Sequence, residues 1–298
     1  MAHLEYLPPA EHVYESFVPP RYHGYPIEKY FVSRFSYHSE QEWALKIDAG
    51  MITVNGQTVR SGAILRDRDK VVTRVGIKVE PPANRRLEIL FENRFLRVFN
   101  KAAPIPVHPS GRYYKNSMTE LLKEVYPEEI PRPVQRLDLW TTGVIVFART
   151  KAAAAFLMNE FQGNRIEKEY LAVVEGVPEK EAFGIETPIG RVQGSKRGTG
   201  PGLTGAKPAV TEFQWLKTLN GRSLLRVTPR SGRTNQIRVH LASVGLPIVN
   251  DAVYGTGKEP GSGLGLHAFS LRFRCFDMEM EMSASCPEHF KPYLPVVV

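Results

Sequence analysis

The chain has 298 residues, 42% of them apolar and 23% charged, with a net charge of +8. That length exceeds one small module and predicts two domains at roughly 100–200 residues each, while the composition excludes wholesale disorder and the basic balance favours a polyanionic partner. No apolar run approaches the ~20 residues of a membrane-spanning helix, the start MAHLEYLPPAEHVYESF lacks the basic and apolar regions of a signal peptide, and Glu5, Glu11 and Glu15 argue against an acid-poor mitochondrial leader, so a cytoplasmic protein is expected.

Residues 1–28 carry Pro8, Pro9, Pro19, Pro20 and Pro26 and show no period, which predicts an extended N-terminal arm. Ser39-Glu40-Gln41-Glu42 is a capping box, with a hydroxyl at the N-cap and a carboxylate three residues on. Trp43 and Ile47 fall on one face of the helix it opens, and Gly50 can take the left-handed cap. Residues 51–54 then read as a strand, Asn55-Gly56 as a tight hairpin turn and 57–59 as the return. Residues 64–70 read as a polar turn before another strand over 71–75. Lys46, Arg60, Arg66, Arg68, Lys70 and Arg74 can reach one surface, which a solvated charged face explains as well as a nucleic-acid contact. The pattern IDAGMITVNGQTVRSGAILRDRDKV, within residues 29–76, resembles the S4 RNA-binding domain. The resemblance sets an expected domain over 29–80 and implies salt-sensitive, backbone-directed RNA binding.

Pro81-Pro82-Ala83-Asn84 reads as a linker. Strands are expected over 87–91 and 95–99, and Ser117-Met118-Thr119-Glu120 forms a second capping box for a helix with Leu121, Leu122 and Val125 on its apolar face and Pro127 as its stop. An apolar strand follows over 143–148, then a helix from Thr150 through the alanines to Phe161, then a strand over 170–175. Residues 194–205, GSKRGTGPGLTG, hold five glycines and predict a mobile loop, in which Lys196 and Arg197 either clamp RNA phosphates or flank a plain connector. A strand over 224–228 precedes Ile237, Leu241 and Val244 at helical spacing, and Met278, Met280 and Met282 alternate with Glu279 and Glu281 as a half-buried strand. Strands and helices mixed without βαβ regularity predict an α+β sheet rather than a doubly wound one. Cys275 and Cys286 match no zinc spacing and read as buried, inert thiols of a reducing compartment.

Three segments carry residues suited to chemistry: Gln135-Arg136-Leu137-Asp138 ahead of Leu139-Trp140-Thr141-Thr142-Gly143, Lys168-Glu169-Tyr170-Leu171-Ala172, and the run from Gly232 to His240. Taken singly, Asp138 reads as a turn cap, Tyr170 as core, Arg238 as a surface cation and His240 as a satisfied structural residue. Taken together, QRLDLWTTG, KEYLAVVEG and SGRTNQIRVHLASVGLPIVNDAVYG, with ILFENRFLRVFNKAAPIPVHPSG at 89–111 and LHAFSLRF at 266–273, resemble the RluA-type RNA pseudouridine synthases in motif and order over roughly residues 86–290. An S4-like domain ahead of the catalytic one is usual in that family.

The resemblance implies a catalytic domain over 86–298, built as a curved, mostly antiparallel sheet with surrounding helices. It implies cleavage of a uridine glycosidic bond within RNA, rotation of the base and rejoining through carbon, with no cofactor and no metal. Asp138 matches the catalytic aspartate, acting as nucleophile or as base. Arg238 matches the arginine that orients it; a guanidinium within ~4–6 Å favours a carboxylate's charged form, and its fork fixes the carboxylate's direction. Tyr170 matches a tyrosine that stacks on the extruded base, its hydroxyl also placed for proton transfer. Arg136 matches the arginine that enters the RNA stack, and Ile237 and Leu266 match apolar walls. Gln135, Asn235 and Asn250 depart from the usual His, His and Gly, which leaves the substrate open. PVHPSGRYYKNS, the VEPP stretch and the amide before RLD resemble a eukaryotic subgroup acting on tRNA anticodon stem-loops, whereas others of this architecture act on large-subunit rRNA. The expected partner is RNA, rRNA or tRNA, bound by a monomer without membrane attachment. Two rivals remain: a catalytically idle RNA-binding or ribosome-assembly factor on the same fold, and a glycosidase that stops after bond cleavage.

Overall fold

The computed structural model describes residues 4–35, 37–194, 196–257 and 263–294. The chain divides into two compact units, one of residues 7–80 and one of residue 81 onward together with the first residues to Tyr6.

The first unit runs β1 (Ala10–Phe17), α1 (Ile27–Arg34), α2 (Glu40–Asp48), β2 (Ile52–Val54), β3 (Gln57–Thr58) and β4 (Lys70–Lys78). Its sheet is ordered β1-β4-β2-β3 with antiparallel pairing. The capping box of α2 is complete: Ser39 Oγ accepts the Glu42 amide at 3.2 Å, and the Glu42 carboxylate accepts the Ser39 amide at 2.7 Å. Trp43 and Ile47, one turn apart, are buried with Ile27, Tyr30 and Phe31 of α1 and with Ile52 and Val71 from the sheet. Asn55 and Gly56 take φ of 51° and 80° at the hairpin, as its turn requires. Residues 10–17, within the segment expected as an extended arm lying on other structure, form the edge strand β1 against β4. The physical reason is pairing: Glu11 and Glu15 meet Arg74 and Lys70 of β4 at 2.8 and 2.9 Å, and the prolines lie outside the strand, where no ladder amide is needed.

The second unit runs β5 (Leu87–Glu92), β6 (Leu96–Lys101), α3 (Met118–Val125), β7 (Arg132–Pro133), β8 (Thr142–Ala148), α4 (Lys151–Gln162), β9 (Glu167–Glu175), β10 (Ala182–Ile185), β11 (Ile189–Gln193), β12 (Lys196–Thr199), β13 (Thr204–Lys207), β14 (Thr211–Leu219), β15 (Arg222–Pro229), α5 (Gln236–Ser243), β16 (Leu266–Cys275) and β17 (Met278–Ser283). Its main sheet has ten strands along the path β10-β14-β15-β9-β16-β8-β6-β5, with β17 beside β16 and β7 beside β8. This is the expected α+β class. The strand β8 is buried on both faces. Val144 and Val146 pack with Ala153 and Leu157 of α4, and Ile145 and Phe147 pack with Leu121 and Leu122 of α3. A strand covered by helices on both sides must be apolar throughout, which is why GVIVFA shows no alternation.

The sheet pairs antiparallel except where β8 meets β16. There His267 and Ala268 run parallel to Thr142 and Gly143. The two strands approach so closely that a Cβ at Gly143, whose φ is +111°, would lie 2.1 Å from the Ala268 carbonyl oxygen. Only glycine fits, and the QRLD segment enters the sheet at this joint.

Two local expectations change. The segment over 194–205 is not a bare loop: it supplies β12 and the start of β13 to the three-stranded sheet β12-β11-β13, with Gly194, Gly200 and Gly202 at positive φ outside the strands. The second capping box does not form. Ser117 Oγ donates to the Tyr114 carbonyl at 2.8 Å, while the carbonyls of Pro106 and Val107 accept the first amides of α3 at 2.9 and 3.0 Å. Backbone acceptors thus replace the serine cap, and Glu120 turns to Lys115 and Lys123. Cys275 is buried and Cys286 half-buried; burial raises both thiols, Cys286 to about 11. Among the described residues no helix is long and apolar enough to cross a membrane.

Candidate active site

The turn from Gln135 to Thr142 is tied down by a backbone bond within it and by the Gln135 side chain. The Thr141 amide donates to the Asp138 carbonyl at 3.1 Å, and Gln135 Nε2 donates to the Val144 carbonyl at 3.0 Å. Beneath it, Lys101 at the end of β6 is 1% exposed. Its Nζ lies 2.8–3.3 Å from the carbonyls of Thr141, Ala102, Asp138 and Leu139. Burial pulls this ammonium down to about 7, with the Asp138 charge opposing. A lysine here gathers four carbonyls onto one donor, adding to the amides of Thr141 and Ile105 that already reach Asp138 and Leu139, and so fixes the backbone that carries Asp138.

The opposite wall comes from α5. Its first residue, Gln236, is buried; Oε1 accepts from Ser231 Oγ at 2.8 Å and from the Arg233 amide at 2.9 Å, and Nε2 donates to the Val210 carbonyl at 2.9 Å. Asn235 precedes it in the left-handed conformation, φ 57°. These bonds set the helix so that Ile237 and Leu241 enter the core and Arg238 faces the Asp138 turn. His240 is buried, bonded to Thr211 Oγ1 at 2.9 Å and the Thr187 carbonyl at 3.0 Å, a structural role.

Arg238 joins two carboxylates. Nη1 donates to Asp138 Oδ2 at 2.9 Å, while Nε and Nη2 donate to the two oxygens of Asp251 at 2.7 and 2.8 Å. The Asp251 side chain is fully buried, and its Oδ1 also accepts the amides of Val253 and Tyr254. Burial works against the Arg238 charge, but Asp251 first and Asp138 second raise it above the ordinary value. Burial likewise opposes the Asp251 charge, and Arg238 with the two amides brings that carboxyl below its usual range. The Tyr254 ring lies 5.0 Å beneath the guanidinium, and its hydroxyl accepts from Asn235 Nδ2 at 3.0 Å.

Asp138, a quarter exposed, opens onto a cavity of about 140 Å³ lined also by Arg136, Tyr170, Ile237, Arg238 and Leu266, with Lys168 and Arg233. A cavity of ~150 Å³ takes one benzene-sized ring, so the space admits a pyrimidine base. Burial, and then the Asp138 charge, raise the Tyr170 phenol above its ordinary value, so it stays protonated. Arg136 is exposed, and Ile237 and Leu266 are 7% and 4% exposed. All six residues singled out from the sequence therefore meet around one cavity.

Asp251 and Lys101 were missed. Neither has a periodic signal: Asp251 follows a left-handed Asn250 in a segment without regular structure, and Lys101 ends an apolar strand where a lysine ordinarily marks the surface. Among the described residues no group of three or more His, Cys, Asp and Glu side chains gathers as a metal site.

The RNA pseudouridylate synthase family matches residues 96–243. The chain is 29% identical over 273 residues to the tRNA pseudouridine(32) synthase, mitochondrial, of Saccharomyces cerevisiae, covering 88% of this chain and little more than half, 57%, of that relative's length. It is 32% identical over 251 residues to the ribosomal large subunit pseudouridine synthase D of Pseudomonas aeruginosa, covering 80% of this chain and 76% of that protein. Among solved structures, the human RNA pseudouridylate synthase domain containing 1 superposes with a TM-score of 0.61 at 28% identity, over 72% of this chain and 89% of that one.

Proposed function

The chain belongs to the RNA pseudouridylate synthase family, and on that premise we propose that it isomerises uridine to pseudouridine in structured RNA, tRNA or rRNA, with Asp138 as the catalytic carboxylate. The observation that carries this reading is the Asp138–Arg238 pair at 2.9 Å on a cavity sized for one pyrimidine and shared with Tyr170.

In this reading an extruded uridine enters between Tyr170 and the walls Ile237 and Leu266. Asp138 drives cleavage of the glycosidic bond, by attack or by removing a ribose proton. Arg238, itself clamped by Asp251, holds the reacting oxygens in direction and charge. The base turns and rejoins the sugar through carbon five, and in the same step the bond from Asp138 to the sugar breaks, or, on the other route, Asp138 returns the ribose proton it took. Tyr170 stacks on it and brings a protonated hydroxyl to the carbon that must then lose its proton. Arg136, exposed at the rim, fills the space the uridine leaves in the RNA stack. Apolar walls keep water from diverting the cleaved intermediate.

Residues 29–80 form, in this proposal, an S4-like RNA-binding domain. The helix pair and the VNG hairpin support it, though Lys70 and Arg74 are paired with Glu15 and Glu11 and offer less charge than the sequence suggests.

The test is tritium release from RNA labelled at carbon five of uridine. Wild type is expected to release tritium and Asp138→Asn to release none. Free uracil among the products would identify a glycosidase instead. No release from any cellular RNA pool would leave an idle RNA binder.

A further inference from the structure

Side chains along a strand alternate between faces. On β9, Glu167 and Glu169 are engaged by Arg272 at 3.4 Å and by Arg226 at 3.2 Å. Lys168 and Tyr170 fall on the other face, and both line the Asp138 cavity. That lining contains one carboxylate, Asp138, which Arg238 takes at 2.9 Å. Lys168 is half-buried, and burial lowers its pKa with no charged partner contributing, whereas Lys101 and Arg238 both feel Asp138. A half-buried ammonium directed at a substrate cavity and lacking a counter-charge among the described residues is a costly arrangement unless the substrate supplies the anion.

Within an RNA strand the anion is the phosphodiester. A nucleotide drawn into a cavity for one base brings its flanking phosphates to the mouth. We propose that Lys168 is a substrate-binding residue whose ammonium takes a phosphate oxygen beside the extruded nucleotide. The compact, rotatable ammonium suits a point-charge contact of this kind. The inference rests on the isomerase reading above. It assigns Lys168 to binding rather than to chemistry, so ground state and transition state gain alike.

The experiment uses the full chain and RNA from cells lacking the gene, labelled with tritium at carbon five of uridine. Lys168→Met is expected to raise KM roughly tenfold or more while kcat stays within a few-fold, the pattern of lost uniform binding. The slope of log kcat/KM against log salt is expected to become shallower by about one, because one phosphate contact is gone. Lys168→Arg is expected to recover most of both. Lys168→Gln serves the same comparison should the methionine variant fail to fold. Unchanged KM and salt slope overturn the inference, and so does a fall confined to kcat. Absence of release by wild type overturns the isomerase reading itself, and is distinguishable because it appears before any variant is compared.

Discussion

Asp251 grips Arg238 through two bonds, at 2.7 and 2.8 Å, while Asp138 receives a single bond from the same guanidinium at 2.9 Å. The buried, fully engaged carboxylate does no chemistry in the proposed reaction; it sets the plane of the fork. The partly exposed carboxylate of Asp138 then meets a donor whose position is already fixed. A guanidinium bonded to Asp138 alone would be free to swing with it.

Asp251→Asn is therefore expected to cut kcat on the order of 10²-fold, the cost of a misplacement near 1 Å, although Asp251 lines no part of the cavity. Single-turnover rates with excess enzyme check it. RNA affinity is expected to stay near wild type, and an unchanged rate would show that Asp138 alone positions the arginine.

Arg238→Lys is expected to lose most activity. An ammonium cannot bond Nε-like and Nη-like positions on Asp251 while also reaching Asp138, because it lacks the planar fork. The purified variant's turnover number is the measurement, and a value equal to wild type would refute the pairing as a functional one.

Tyr170→Phe separates the ring from the hydroxyl. The raised phenol pKa keeps the proton in place at working pH, so the hydroxyl takes part in proton transfer only by accepting one proton as it passes on another. Loss of that route is expected to lower kcat by roughly 10² with KM within a few-fold of wild type. A near-normal kcat would leave stacking as the whole contribution.

Much of the site was legible because its residues sit in local patterns. Asp138 lies beside a buried apolar strand, Tyr170 enters one, and Ile237 and Leu241 mark the helix that carries Arg238. The α2 capping box and the Asn55-Gly56 turn formed because each is complete within four residues. Where the outcome depended on distant chain, the local pattern misled. Ser117 lost its capping role to carbonyls of residues 106 and 107, the glycine-rich segment after Gln193 supplied the strands β12 and β13, and β1 needed β4 to be recognised as a strand. Asp251 and Lys101 were hidden for the same reason, since the Arg238 that Asp251 clamps lies 13 residues away and, Ala102 excepted, the carbonyls that Lys101 gathers lie 37 residues away or more.

Lys101→Met keeps the volume of the stem and removes the donor. The carbonyls of Asp138 and Leu139 keep their amide donors, but the buried Thr141 carbonyl loses its bond from Nζ, at a cost of ~1–3 kcal/mol. Thermal unfolding is expected to fall by several degrees, and kcat is expected to fall further than stability alone explains, because the Asp138 backbone is no longer tied. A destabilised variant with wild-type kcat at low temperature would confine Lys101 to folding.

His267 predicts how stability depends on acid. Its Nε2 faces the Ala284 carbonyl at 3.2 Å, which can only accept, so that nitrogen carries the hydrogen and Nδ1 accepts from Thr142 Oγ1 at 2.8 Å. Burial pulls the ring down to about 4, from an ordinary 6.5. Between those values the unfolded chain binds a proton that the native chain refuses, so stability rises with pH across the window. The contribution is complete above about 6.5 and is lost as pH falls toward 4, at about 1.4 kcal/mol per pH unit for one proton. His267→Asn removes the titrating group. The difference in unfolding free energy between wild type and this variant is expected to shrink steadily from pH 6.5 to 4 and to stay level above 6.5. Chemical denaturation at each pH measures it. Because Thr142 begins the strand that follows the Asp138 turn, protonation of the native ring disturbs the β8–β16 joint, and since the folded chain takes up this proton only near pH 4, wild-type activity is expected to hold through the upper part of the window and to fall as pH approaches 4.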